Sequence, residues 1–119
     1  MAGASQGFHE DERSLSSRTK DLHRAIVALQ EELEAIDWYQ QRADATEDPE
    51  LREILEHNRD EEKEHAMMLL EWLRRKDVAF ARMMKLHVGH SGPIVTEKGE
   101  AEASAEVDRE GRAAKGERR

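Results

Sequence analysis

Apolar positions return along the first half of the chain at alternating steps of three and four. Leu15, Arg18, Leu22, Ala25, Leu29, Glu32, Ile36 and Tyr39 share one face of a helix, and only Arg18 and Glu32 break it with charge. A second series, Leu51, Leu55, Asn58, Glu62, His65, Leu69 and Trp72, keeps the same spacing, with apolar ends and three polar positions in its middle. Between Gly7 and Gly89 the one strong breaker is Pro49, and good helix formers dominate the stretch. Asp48 can accept hydrogen bonds from the free N–H groups of a new helix, and Pro49 suits its first position. The pattern predicts helices near Leu15–Ala43 and Pro49–Arg75, with a shorter one from Asp77 to Leu86 that Gly89, Gly92 and Pro93 end. Each long helix would run about 40 Å. The short polar link from Asp44 to Asp48 returns the chain antiparallel, as a helical hairpin.

That turn sets the register. Glu32 precedes it by nearly as many residues as separate it from Glu62 and His65, so these polar interruptions fall at similar heights on facing helices. A carboxylate buried in an apolar seam is unfavourable unless something compensates it. A divalent cation compensates two at once, and Glu62-x-x-His65 sets an oxygen and a nitrogen ligand one turn apart on one face. Carboxylate plus imidazole suits iron, manganese or zinc, and the chain has no cysteine to supply a thiolate. The alternative from another class is a structural adaptor, a dimerising hairpin whose polar seam fixes register and carries no chemistry.

Composition narrows the picture. Of 119 residues 39% are charged and 37% apolar, which allows one domain with a small core. Residues 1–13 are small and polar, and residues 96–119 hold 13 charged ones; both ends are expected to be disordered, leaving 14–95 as the helical hairpin domain. The net charge of −8 argues against nucleic acid as a partner. No apolar run approaches the roughly 20 residues that span a bilayer, so no membrane partner is expected. Met67, Met68, Met83 and Met84 read as flexible packing, and Trp38 and Trp72 as packing groups.

A four-helix di-iron site takes one Glu from each of two helices and a Glu-x-x-His from each of the other two. Two long helices bearing Glu32, Glu62 and His65 supply half of that set. A two-fold pairing of chains would complete it. The expected fold is therefore all-α: an antiparallel two-helix hairpin plus a short C-terminal helix, dimerising into a ferritin-like four-helix bundle.

Two long motifs carry a family resemblance. The run Glu31-Glu32-Leu33-Glu34-Ala35-Ile36-Asp37-Trp38-Tyr39 resembles the first-helix motif of the encapsulated ferritins. So do His57-Asn58-Arg59-Asp60-Glu61-Glu62-Lys63-Glu64-His65 and the following Leu70-Glu71-Trp72-Leu73-Arg74-Arg75, within a likeness over about residues 20–95. The resemblance implies a ferroxidase that oxidises iron(II) to iron(III) with dioxygen at a di-iron site across a homodimer. It implies a ring-shaped decamer of five dimers, held as cargo within an encapsulin shell in the cytoplasm, where the shell stores the mineral. Glu32, Glu62 and His65 would bind iron, with Tyr39 beside the site. Glu31 and Glu34, with Trp38 nearby, resemble a peripheral metal site on the access route. Stand-alone members of the family usually end in a partly apolar peptide that docks on the shell; here no Leu or Ile follows Ile94. A rubrerythrin-like peroxidase shares the carboxylate pair, but the cysteine-rich electron-transfer site that accompanies it has no counterpart.

Overall fold

The computed structural model describes residues 7–95. The expectations of disorder for residues 1–6 and 96–119, and the expectation about a shell-docking segment, lie outside the described residues. The fold is all-α, as the periodicity predicts: α1 (Ser17–Ala45), α2 (Pro49–Lys76) and α3 (Val78–His87), with a short 3-10 turn at Glu12–Ser14. The chain groups into two compact units, Met1–Trp72 and Leu73–Arg119.

In the first unit, α1 begins two residues later than the apolar spacing predicts, because Ser16 caps it. The Ser16 hydroxyl accepts from the Thr19 N–H at 3.0 Å, and Leu15 is extended. Ahead of it, the Asp11 carboxylate accepts from the Arg13 N–H, the Phe8 ring packs on His23 at 4.9 Å, and Lys20 pairs with Glu12. At its other end α1 runs to Ala45 rather than Ala43. Asp44 lies between two alanines, the best helix formers, and nothing stops the helix before Thr46, whose N–H still donates to the Arg42 carbonyl.

The turn is therefore only Thr46–Asp48. Asp48 caps α2 as expected: its carboxylate accepts from the N–H groups of Glu50 and Leu51 at 2.9 and 3.1 Å. Arg52 then reaches back, donating from Nε to the Ala43 carbonyl at 3.1 Å and from its terminal nitrogen to the Thr46 carbonyl. These are orphan acceptors of the α1 C-terminus, so one side chain satisfies the end of one helix from the first turn of the next. Farther along, Arg59 donates to the Gln40 side chain at 2.8 Å. The pairs 43–52, 40–59 and 32–65 step in opposite directions along the two helices, which makes the hairpin antiparallel. Its buried apolar core is small: Ala25, Ala43 and Ala66. Ile26, Leu33, Leu51, Ile54, Met67 and Met68 stay between 42% and 58% exposed, so much of the apolar stripe is unused within one chain.

In the second unit, the Asp77 carboxylate accepts from the Phe80 N–H at 2.9 Å and caps α3. The Val88 N–H closes the last turn on the Met84 carbonyl. Gly89 follows at φ +78°, a left-handed conformation that side chains rarely adopt. The chain then folds over the helix end, where the His90 imidazole donates to the Lys85 carbonyl at 2.6 Å and that of His87 to the Ile94 carbonyl at 3.0 Å.

Candidate metal centre

Glu32 lies mid-way along α1, while Glu62 and His65 lie one turn apart on α2. The antiparallel register brings all three together. One ligand atom from each residue falls within 4.8 Å of the others, the only such group of three or more His, Asp and Glu among the described residues. His65 Nδ1 faces both carboxylates, 3.3 Å from Glu62 Oε2 and 3.7 Å from Glu32 Oε2. The side chains are partly screened from water, with 25% of Glu32, 23% of Glu62 and 44% of His65 exposed.

The cluster is electrostatically incomplete. Glu32 Oε2 is buried and accepts no hydrogen bond. A buried carboxylate oxygen normally finds a donor, and leaving it without one is unfavourable. It faces a second carboxylate and a single imidazole, which falls short of the positive charge needed to balance the pair. A divalent cation would satisfy both acids and take the imidazole nitrogen as a further ligand. The donor set, two hard oxygens and one borderline nitrogen, fits iron, manganese or zinc.

The other residues singled out in the sequence stay outside this cluster. Tyr39 is half-buried, on the same stripe as Glu32 and about 10 Å along the helix, with the Arg42 guanidinium 5.6 Å from its ring centre. Arg42 also lies 5.9 Å from the Trp38 ring, and Trp38 itself is 41% exposed. Glu31 is exposed and Glu34 half-buried; the helical rotation of about 100° per residue turns both away from the Glu32 face. His57 meets Glu61 at 3.0 Å, on the exposed side of α2. Near the hairpin's middle, the Arg59 hydrogen bond, with help from Lys63, holds the Asp60 carboxyl below its ordinary range, and Asp60 in turn raises Arg59.

Two features escaped the sequence reading. Arg52 offered no signal, because an arginine on a charged helix can point anywhere. Gln30 carries a buried side-chain oxygen that accepts no hydrogen bond. Its place between the exposed Ile26 and Leu33, at i−4 and i+3, could have marked it as an interruption in a second apolar stripe.

Comparison with known proteins decides the family. The model of the EncFtn-like family matches residues 7–91, which span both long helices, α3 and all three clustered side chains. The chain belongs to the EncFtn-like family. It is similar to the encapsulated ferritin-like protein of Rhodospirillum rubrum, at 55% identity over 94 residues that cover 79% of this chain and 67% of that one. It is 35% identical over 94 residues to the encapsulin nanocompartment cargo protein EncC of Myxococcus xanthus, covering 78% of this chain and 72% of that protein. A crystal structure of a protein from Nitrosomonas europaea superposes with a TM-score of 0.72 at 54% identity, covering 76% of this chain and 99% of that one. The EncFtn-like assignment and the all-α fold thus agree with the reading of the two helical motifs.

Proposed function

We propose that this EncFtn-like chain is a ferroxidase. It oxidises iron(II) to iron(III) with dioxygen at a di-iron site that two copies complete across their interface. The observation that carries the reading is the Glu32–Glu62–His65 cluster, with its buried and unsatisfied Glu32 oxygen, on two helices that hold half of a four-helix ligand set.

Each residue then has a role. Glu32 and Glu62 supply the hard oxygen ligands that favour iron(III) over iron(II), and His65 supplies the nitrogen that sets the ligand geometry. Iron is the substrate: it gives electrons to dioxygen and leaves as iron(III). The protein contributes position and charge. Tyr39, about two turns farther along the same face of α1, is assigned to the surroundings of the site, and Glu31, Glu34 and Trp38 to a peripheral metal site on the access route. The second copy packs on the apolar positions left open in one chain, Ile26, Leu33, Leu51, Ile54 and Met68 among them. Five such dimers form a ring. The Rhodospirillum relative is an encapsulated ferritin-like protein and the Myxococcus relative an encapsulin nanocompartment cargo protein, which supports a place as cargo inside an encapsulin shell, and hence within the cytoplasm, with iron delivered for storage there.

The test is iron(II) oxidation in air, followed by ferric absorbance and by the oxygen consumed. Alongside it, calorimetry with zinc, which does not change oxidation state, reads binding alone. The wild-type chain should accelerate oxidation and bind zinc, and His65→Ala should lose both. A structural adaptor would leave oxidation at its uncatalysed rate. That result, or undiminished oxidation by His65→Ala, overturns the proposal.

A further inference from the structure

The Glu32–Glu62–His65 cluster depends on register. Glu32 meets the other two only if α1 and α2 neither slide nor roll past one another, and one residue of slide is about 1.5 Å. A ligand set has to be held to within about 0.5 Å. The apolar core does little to hold it. Its buried residues in the first unit are Ala25, Ala43 and Ala66, and a methyl group makes only a shallow knob in the facing helix.

Polar ties across the hairpin supply what the core lacks. Arg52 holds the Ala43 carbonyl at the turn, but it stands about 20 Å along α2 from His65. Arg59 is much nearer, one turn before Glu62, and its Nη1 donates to Gln40 Oε1 on α1 at 2.8 Å. The guanidinium is set for this reach. Its Nε and Nη2 donate to Asp60 at 3.0 and 3.3 Å, and Lys63 holds the same Asp60 oxygen at 3.2 Å. Only 19% of the Arg59 side chain is exposed. One edge of the planar fork is thus fixed on α2, which leaves Nη1 to reach across.

We propose that Arg59 and Gln40 are positioning residues of the metal centre: their hydrogen bond fixes the register that brings Glu32 to Glu62 and His65. The inference rests on the metal-binding part of the ferroxidase reading. Neither residue belongs to the cluster, and both act through the ligands. The bond has a charged donor, so it is among the stronger kinds available to a hairpin with so small a core. What matters is the tie and not the charge. Removing the Gln40 acceptor leaves the Arg59 cation in place and takes away only the link between the helices.

The experiment is a titration of the full-length chain with cobalt(II), whose visible absorption reports coordination geometry. Gln40→Leu should bind cobalt about tenfold or more weakly, as loss of an outer partner of a ligand does. Its spectrum at saturating cobalt should also differ from that of the wild type, which a mere loss of stability would not cause. Gln40→Glu keeps an acceptor for Arg59 and should restore both affinity and spectrum. Gln41→Leu is the control: its carboxamide donates to Asp37 within α1 at 3.0 Å, so it loses a similar bond without touching the register. It should behave like the wild type. Circular dichroism of each variant shows that the helices persist, and Arg59→Met, which removes the donor, should repeat the effect of Gln40→Leu. Wild-type affinity and spectrum in Gln40→Leu overturn the proposal, as does a Gln40→Glu variant no better than Gln40→Leu. Iron oxidation in air is a separate readout: a wild-type chain that binds cobalt without oxidising iron would overturn the ferroxidase reading alone.

Discussion

His65 Nδ1 stands 3.7 Å from Glu32 Oε2, across the gap between two antiparallel helices. The same nitrogen is 3.3 Å from Glu62 on its own helix. One imidazole thus serves two carboxylates, and the Glu32 oxygen still accepts no hydrogen bond. Such an arrangement is poor for stability and well suited to a cation, because what destabilises the metal-free hairpin is what would bind the metal.

The first prediction follows from that opposition. Glu32→Gln keeps the shape of the side chain, removes one of two facing negative charges and adds a donor for Glu62. The metal-free protein should become more stable, by about 1 kcal/mol, as an unsatisfied buried acceptor is relieved. Zinc affinity and iron oxidation should fall by more than the roughly 10–100-fold that losing a mere supporting group costs. Thermal melts with and without zinc measure both. A variant less stable than the wild type without metal would show that Glu32 has a structural partner after all.

The pairing of two chains can be separated from the ligands. Leu33 is 52% exposed and Ile54 is 53% exposed, and neither belongs to the cluster. In the proposed dimer they lie in the interface, where a charge would be buried. Leu33→Glu combined with Ile54→Glu should leave helicity in place, keep the chain monomeric by light scattering, and reduce iron oxidation at least tenfold, since burying unpaired charge opposes association by several kcal/mol. A monomeric variant that oxidises iron at the wild-type rate would locate the complete site within one chain.

Much of this could be read in the sequence, and the reason is local. Asp48-Pro49 and Asp77 are helix starts whose chemistry involves neighbouring residues only: Asp48 caps as expected, and Asp77, the predicted first residue of the third helix, caps it. Glu62 and His65 share a face through helical spacing alone. The facing of Glu32 to them was legible because a short turn leaves little freedom in register. The α1 boundaries were less legible: Ser16 stopped the helix short of Leu15, and two alanines carried it past Ala43. The Arg52 clamp and the unsatisfied Gln30 oxygen depend on where long side chains turn in three dimensions, which periodicity does not encode.

The Arg52 clamp makes a prediction about the hairpin itself. Arg52→Met keeps the apolar stem and removes the donors to the Ala43 and Thr46 carbonyls. Hydrogen bonds from a charged donor contribute about 1.5–3 kcal/mol, so the midpoint of urea unfolding should fall by a corresponding amount. Arg52→Lys should recover only part of this, because one ammonium cannot reproduce the fork. A midpoint unchanged in Arg52→Met would show that solvent serves those carbonyls equally well.

The pH dependence turns on Asp60. Its carboxyl is held below the ordinary range, first by the Arg59 hydrogen bond and then by Lys63. A carboxyl with a lowered folded-state pKa binds protons more readily when unfolded. Its stabilisation is therefore complete above the unfolded value near 3.8 and is lost as pH falls through the lower folded value. Asp60 is 58% exposed, so the effect is small and weakens in salt. Asp60→Asn should melt slightly below the wild type at neutral pH, and the two curves should converge in strong acid. The gap should also narrow at high salt. Melting curves across acid pH at two salt concentrations test this, and a gap that persists unchanged through acid would assign the Asp60 contribution to packing instead of charge.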